Sequence, residues 1–288
     1  MRGVRSGVRL ASGPGFVVHA VTCVDDHRGW SPVEVGSAHQ LVLPRRGRFR
    51  RMADGRGALV DRAMAYLSLP GQEERFAHPA GGDVCTVLRL SPRLWEVLAG
   101  DRGRPARSTV YVDARLDLAH RRLLAATRSG DPAYELTEAL LPLLAASLSR
   151  VAPPPAAGGG SRGPGRTAGA VVDAAREAIA SDHEAAGGLM TLAELLSVSP
   201  YRLSRAFTSE LGVSLTHYRN RVRVGRALDR LEAGEQSLAR LAADLGFADQ
   251  AHLTRTIRRH AGHTPAALRR LLGHAGARPG TPPEAGSA

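Results

Sequence analysis

The fold is decided by two stretches of sequence, TLAELLSVSPYRLSRAFTSELG (Thr191–Gly212) and SLARLAADLGFADQAHLTRTIRRHAG (Ser237–Gly262). Each stretch combines a short helix pattern, a tight turn and a second helix with arginines on its outer face. This order is typical of a helix-turn-helix, whose second helix enters the major groove of DNA. The two stretches therefore predict a DNA-binding domain with two recognition helices.

The residues at the turns and helix starts support this interpretation. Ser199 is a good N-cap, and Pro200 suits the first helical position of the first recognition helix. In the second unit, Gly246 adopts the positive φ of a turn at little cost, and Asp249 suits the positive end of the next helix. The apolar spacing predicts these inward-facing residues: Leu192, Leu195, Leu196, Val198, Leu203, Phe207, Leu238, Leu241, Ala242, Leu245, Phe247, Leu253 and Ile257.

A helical segment over about residues 215–233 joins the two units. Roughly 18 residues at 1.5 Å each span about 27 Å, close to the ~34 Å between successive major-groove faces. Such a connector can hold both recognition helices on one side of a duplex. Its predicted core residues are Tyr218, Val222, Leu228 and Leu231, and its predicted outward arginines are Arg219, Arg221, Arg223, Arg226 and Arg230.

The front half has a different pattern. Regular short segments separated by Gly, Pro and Asp clusters favour a β-sandwich or small barrel. Residues 92–151 have apolar side chains at three- and four-residue steps and are predicted to be helical, with a kink or break at Pro142. The fold class is therefore α+β. The predicted strands are 16–23, 39–44, 46–52, 63–70 and 84–90.

Composition divides the chain into four parts. Residues 1–151 form the predicted sensing and dimerisation domain, and residues 168–274 form the DNA-binding domain. Between them, residues 152–167 are rich in Pro and Gly and are predicted to be a flexible linker that acts as a tether. The Pro/Gly-rich tail at 275–288 is predicted to be disordered. Dimerisation is predicted through the leucine face of Tyr134–Val151.

The charge and the apolar runs bound the class of protein. The formal net charge is +12, and all 39 basic side chains are arginine. Arginine presents planar donors that suit phosphates and guanine edges. No apolar run approaches the ~20 residues that span a bilayer, and the start of the chain makes a poor signal peptide. We therefore expect a cytoplasmic protein that does not enter a membrane.

The C-terminal part closely resembles the AraC/XylS family of bacterial transcription regulators. Three runs carry the resemblance: LSRAF (203–207), ELGVSLTHYRNRVRVGRAL (210–228) and LAADLGFADQAHLTRTIRRHAGHTPAALRR (241–270). The family places a glycine where Ser197 stands in the first turn. The resemblance implies base-facing positions at Tyr201, Ser204, Arg205, Gln250, Ala251, His252 and Arg255. Arg202 shares the outer face of the first recognition helix, and Arg258 is expected to contact phosphate.

The front half resembles, more loosely, the cupin-like β-barrels that are fused to such DNA-binding domains as sensors. The runs are HQLVLPRRGRF (39–49) and YLSLPGQEERFAHPAGGD (66–83). This resemblance implies a small-molecule effector. The closely spaced His-x-His and following Glu of catalytic cupins are absent, so we expect no enzymatic activity and no cofactor.

Two cysteines and two histidines in this half raise a separate hypothesis. Cys23, His27, His78 and Cys85 together offer two sulfurs and two imidazoles, a set that suits zinc. The competing interpretation is that the two thiols are simply buried in a β-core, where cysteine packs well.

The sequence thus predicts a transcription regulator, expected to be an activator, that binds an operator in double-stranded DNA and responds to a small molecule. A homodimer is expected, and the family resemblance implies contact with RNA polymerase. Two alternatives remain open. One is a cupin-type metal enzyme with a DNA-binding tail, and the other is an architectural or anti-activator protein that senses no ligand. The sequence does not specify the effector, the operator, or activation as against repression.

Overall fold

The computed structural model describes residues 4–100, 108–128, 132–151 and 167–273. Within these ranges the chain forms ten strands, ten α-helices and a 3₁₀ turn at Glu184–Gly187. The predicted linker, apart from Thr167, and the predicted tail lie outside the described residues. Every helix in the described ranges is too short or too polar to span a bilayer.

The strands form two antiparallel sheets. One sheet has six strands in the order β1-β2-β9-β4-β7-β10, and the other has four in the order β3-β8-β5-β6. Ladder hydrogen bonds do not close the ten described strands into a barrel, so the predicted barrel closure is not confirmed. The strands are β1 (Val4–Gly13), β2 (Phe16–Val24), β3 (Glu34–Val35), β4 (His39–Arg46), β5 (Phe49–Ala53), β6 (Arg56–Val60), β7 (Met64–Ser68), β8 (Glu73–Ala77), β9 (Asp83–Leu90) and β10 (Thr109–Tyr111).

Successive apolar side chains of the central strands belong to different cores, so the six-stranded sheet is covered on both faces. In β4, Leu41 and Leu43 belong to the core on one face, and Val42 between them belongs to the core on the other face. In β7, Leu67 and Tyr66 divide in the same way. Successive side chains of a strand point to opposite faces, so an unbroken apolar run marks a strand buried on both sides.

Three helices follow the sheets: α1 (Pro92–Ala99), α2 (Ala114–Ala126) and α3 (Pro132–Val151). The helix α3 continues through Pro142 as one element. Its leucine face, including Leu140 and Leu144, is buried against the six-stranded sheet. The predicted dimer surface on this face is therefore wrong, because the chain's own sheet already covers it. Dimerisation itself stays a prediction and needs another surface.

The C-terminal half contains seven α-helices among its described residues. Each of the predicted helix-turn-helix units is present, and serine or aspartate side chains cap the starts of four of the seven helices. Ser199 accepts a hydrogen bond from the Arg202 amide at 3.2 Å, and Ser214 accepts one from the His217 amide at 3.2 Å. The helices are α4 (Ala168–Ala180), α5 (Leu189–Leu195), α6 (Pro200–Leu211), α7 (Leu215–Glu232), α8 (Leu238–Asp244), α9 (Gln250–Ala261) and α10 (Pro265–Gly273).

The two halves share hydrophobic cores. Ala114 and Leu118 of α2 pack into the core of the second helix-turn-helix unit, beside Val224 of α7 and Leu253 of α9. Ala63, between β6 and β7, belongs to the core of the first unit. The DNA-binding half is thus packed on the front half, rather than attached to it only through the linker.

Candidate nucleic-acid interface

The first helix-turn-helix unit consists of α5 and α6. Leu192 and Leu196 are buried on α5 and its C-cap, and Leu203 and Phe207 are buried on α6, as predicted. Leu195 was predicted to face inward, but it is 44% exposed. The reason is that Ala193 is buried instead, which turns the inner face of this short helix away from Leu195.

The second unit repeats this geometry in α8 and α9. Leu241, Phe247, Leu253 and Ile257 are all buried, as predicted. Asp249 caps α9 by accepting a hydrogen bond from the His252 amide at 2.5 Å.

The same turn joins the two helices in both units. Ser197 and Gly246 have positive φ values of 55° and 67°. The next amide then donates back across the turn, from Val198 to the Ala193 carbonyl at 3.0 Å and from Phe247 to the Ala242 carbonyl at 2.9 Å. This pattern is a Schellman-type helix end, which sets the angle between the two helices. The two units are therefore structural repeats, although serine replaces glycine in the first.

The predicted DNA-contacting residues lie on outer faces of α6 and α9. Tyr201 is 70% exposed. Ser204 and His252 are half-buried beside their helix cores. The remaining predicted residues are exposed: Arg202, Arg205, Gln250, Ala251, Arg255 and Arg258.

Tyr201 and Arg205 form a pair on the outer face of α6. The Arg205 Nη1 donates to the Tyr201 hydroxyl at 3.2 Å, and its guanidinium lies 5.6 Å from the ring centroid. The two residues are four apart, so they are neighbours on one helix face. The pair limits the guanidinium to a few orientations above the helix before any ligand is bound.

His252 is held at the start of α9. Its ring packs edge-on against Phe247 at 5.4 Å between centroids, and its Nδ1 accepts from the Ala248 amide at 3.4 Å. The Nε2 edge of the imidazole is therefore the edge left for an outside partner. Arg255 and Arg258, further along α9, form no ion pair with any residue that the structure describes.

The connector α7 has the predicted length, 18 residues. Most of its arginines bind protein groups rather than pointing freely outward. Arg223 donates to the Leu245 carbonyl at 2.8 Å and lies 3.8 Å from the Phe247 ring centroid. Arg230 pairs with Glu235 at 2.6 Å. These contacts join α7 to the second unit and fix its orientation.

Arg221 was predicted to point outward, but it is one of the most buried side chains, at 2% exposure. Its Nε donates to the Val112 carbonyl at 2.7 Å, and its Nη2 lies 3.1 Å from Asp117 Oδ2 of α2. A Cβ at Gly225 would lie 2.6 Å from the Arg221 Nη1. The glycine inside α7 therefore leaves room for this guanidinium, although glycine is a poor helix former.

Further ion pairs join the halves. Arg62 binds Asp229 of α7 through two hydrogen bonds of 2.5 and 2.7 Å. Arg121 of α2 binds Asp117, Asp229 and Glu232. Burial alone would raise the pKa of Asp117, but the guanidinium groups of Arg221 and Arg121 hold it below its usual value. The carboxylate is therefore ionised at neutral pH, and α7 is anchored to α2 by buried charges.

A cavity of about 290 Å³ lies between the two sheets of the front half. Its wall includes the cations Arg5 and Arg89 and the aromatic rings of Phe49 and Tyr66. The wall also contains three of the four predicted metal-binding residues, Cys23, His78 and Cys85. His27 is close by, with its ring 5.3 Å from that of His78.

The fold and the exposed faces of α6 and α9 define a class of protein, a DNA-binding domain with two helix-turn-helix units. Comparison with known proteins agrees with this class. Residues 192–271 match the family described as "Helix-turn-helix domain". The arabinose operon regulatory protein of Escherichia coli K12 is 30% identical over 91 residues, which cover 31% of this chain and 31% of that protein.

Two solved structures are also similar. The C-terminal domain of AraT, a response regulator from Geobacillus stearothermophilus, is 30% identical with a TM-score of 0.33, covering 35% of this chain and 84% of that chain. Unsaturated fatty acid bound ToxT from Vibrio cholerae is 11% identical with a TM-score of 0.34, covering 91% and 97%. Both TM-scores are low, so the likeness to known proteins rests on the sequence matches.

These matches agree with the resemblance of the helical half to the AraC/XylS transcription regulators. The family match covers residues 192–271, which lie in the helical half. The chain spans about a third of the length of the curated relatives that it matches, at 31% of the arabinose regulator. The resemblance of the front half to cupin-like sensors stays a prediction.

Proposed function

We propose that this protein is a sequence-specific DNA-binding transcription regulator whose α6 and α9 read two consecutive segments of major groove. The observation that carries the proposal is the pair of repeated turns, each followed by a helix whose outer face is exposed. The connector has 18 residues, about 27 Å of helix, which suits two segments on one side of a duplex.

The residues on each recognition helix have separate roles in this proposal. Arg205 and Arg255 read base edges, since a guanidinium suits guanine O6 and N7. Arg202 and Arg258 contact phosphates and set the register. The other proposed base-facing residues are Tyr201, Ser204, Gln250, Ala251 and His252.

The front half is the proposed sensor, and its cavity is the proposed effector site. Cys85 and Val87 of β9 line the cavity. Thr86 between them faces the other way, and its hydroxyl lies 2.8 Å from His120 Nε2 of α2. The helix α2 also holds Arg221 of α7 through Asp117. A shift of β9 on effector binding would therefore reach the connector through side chains in direct contact. Coupling of this kind requires that the effector bind one arrangement more tightly.

The assembly and domain limits belong to the same proposal. The DNA-binding domain comprises residues 168–274, and residues 1–151 form the sensing and dimerisation domain. A homodimer would place four recognition helices on one operator and increase affinity through effective concentration. RNA polymerase is the proposed partner of the DNA-bound protein, as the family implies.

The experiment is selection of bound sequences from a random duplex library, followed by footprinting on the best site. The parent protein is compared with Arg205→Ala and Arg255→Ala. Each variant should lose about 1–3 kcal/mol of binding free energy and relax sequence preference in its own part of the site. Arg28→Ala is the matched control, because Arg28 is exposed on the front half and loses the same charge.

Two results would contradict the assignment of roles. If either variant weakens binding equally on every sequence, that arginine contacts phosphate rather than bases. If the parent protein selects no sequence from the library, the proposal of sequence-specific binding is wrong.

A further inference from the structure

A cluster of metal-ligand types lies beside the cavity of the front half. It consists of Cys23 at the end of β2, Asp25 just after it, and His78 in the loop after β8. One ligand atom from each lies within 4.8 Å of the others. Cys23 and His78 are 6% and 4% exposed, so two of the three groups are shielded from bulk water.

The orientation of His78 is the second observation that points to a ligand. Its Nε2 lies 3.0 Å from Asp83 Oδ1. Its Nδ1 is buried and has no hydrogen-bond partner among the residues that the structure describes. A histidine that gives one ring nitrogen to a carboxylate and presents the other is the usual arrangement around a bound metal ion. An imidazole nitrogen buried without any partner otherwise costs free energy, because it has lost its water.

The neighbouring residues support the cluster rather than join it. His27 uses both ring nitrogens, with Nδ1 2.7 Å from Asp25 Oδ1 and Nε2 3.0 Å from the Phe76 carbonyl oxygen. Cys85 Sγ donates to Asp83 Oδ2 at 3.0 Å. His27 therefore orients the Asp25 carboxylate, and Cys85 orients the Asp83 carboxylate that lies beside His78. The four residues suggested by sequence divide into two ligands and two supports.

We propose that Cys23, Asp25 and His78 bind a zinc ion, with the fourth position open to water or to a ligand in the cavity. A thiolate, an imidazole and a carboxylate together suit zinc, whereas calcium and magnesium prefer sets made only of oxygen. Ligand atoms of a tetrahedral zinc site are about 3.3–3.8 Å apart. The cluster therefore needs to contract by about 1 Å on binding.

The charges around the cluster are compatible with a cation. Arg5 lines the same cavity and opposes a metal ion, but its guanidinium pairs with Glu34 at 3.4 Å. Asp25, itself a proposed ligand, and Asp83 beside the site bring two negative charges close to the ion. The proposed zinc site contains no residue of α6 or α9, so it can be tested independently of DNA binding.

The test uses the full-length protein, reduced and stripped of metal with a chelator. Zinc chloride is titrated against a chromophoric chelator to obtain stoichiometry and affinity, and cobalt chloride is used to record an absorption spectrum. We expect one zinc ion per chain and a thiolate-to-cobalt charge-transfer band. Cys23→Ser and His78→Asn should each weaken zinc binding by at least tenfold, and Cys23→Ser should remove the band. Cys85→Ser separates the roles of the two thiols: a hydroxyl still donates to Asp83, so zinc binding should weaken less than in Cys23→Ser and the band should be retained.

Three results would overturn the proposal. The first is the absence of stoichiometric zinc binding by the parent protein. The second is zinc binding that survives both Cys23→Ser and His78→Asn, which would place the ion elsewhere. The third is a loss in Cys85→Ser equal to that in Cys23→Ser. If Cys23→Ser fails to fold, the parent cobalt spectrum decides, since a spectrum without a thiolate band contradicts the ligand set.

Discussion

The buried imidazole of His120 gives a quantitative test of how α2 is packed on the six-stranded sheet. His120 is 5% exposed and contacts Thr86 between the six-stranded sheet and α2. Burial lowers the pKa of His120 to about 4. The unfolded chain has an ordinary histidine pKa of about 6.5 and so takes up a proton that the folded protein rejects. Stability is therefore present at neutral pH and is lost as the pH falls from about 6.5 towards 4.

The magnitude follows from the two pKa values. Between about pH 7.5 and about pH 5, His120 should remove about 2 kcal/mol from the free energy of unfolding. His260 adds to the parent's loss in the same direction, because burial also lowers its pKa to about 4. His120→Gln removes one of these contributions while keeping a hydrogen-bonding group opposite Thr86. The carboxylate of Asp117 adds little in this range, since its pKa is held below its usual value.

The assay is urea unfolding at both pH values for the parent, His120→Gln and His263→Gln. His263 is exposed, so it controls for the chemistry of the substitution. On acidification, His120→Gln should lose about 2 kcal/mol less than the parent, and His263→Gln should lose as much as the parent. An equal loss in all three proteins would refute the reasoning, because it would mean that His120 is protonated in the folded state.

Three other predictions concern the turn, the charge network and the linker. Ser197→Gly should raise the free energy of unfolding by about 1 kcal/mol in thermal or urea unfolding, since Ser197 is exposed and its φ of 55° strains any residue with a Cβ. Arg121→Met should lower it by about 3 kcal/mol by the same measurement, because Asp117 and Asp229 lose a buried partner. Deleting Gly158–Gly160 should leave operator affinity, measured by gel shift, within a few-fold, because packed side chains outside the linker join the halves.

The helical half could be predicted closely because its signals are local. Ser199 and Asp249 cap helices in the sequence positions where capping is expected. Turn and core spacing repeat between the two units, so one pattern supports the other. Local periodicity failed where the inner face was narrow, as at Leu195, which follows the buried Ala193.

The larger errors arose from contacts that are distant in sequence. Arg221 looks like a solvated arginine until Asp117, more than a hundred residues earlier, is placed beside it. The leucine face of α3 was predicted to be free because the sequence does not show how the separate strands pair into the sheet that covers it. Five strands were missed. Two of them, β1 and β8, contain charged residues or glycine, which weaken the strand pattern. Asp25, which we propose as a ligand, was not among the candidates from sequence, although its position two residues after Cys23 was a signal.

The docking of α2 on α7 limits how freely this DNA-binding half could be exchanged between proteins. A chimera that joined residues 168–273 to an unrelated sensor would keep Arg176 and Arg221, which now bind Asp61 and Asp117 of the front half. Unless the new sensor supplied carboxylates at matching positions, packing it against α7 would bury the guanidinium groups of Arg176 and Arg221 without these partners. A recombination event that preserves function should therefore transfer α2 together with the DNA-binding half. The segment that can be exchanged as a unit is larger than the helical domain alone.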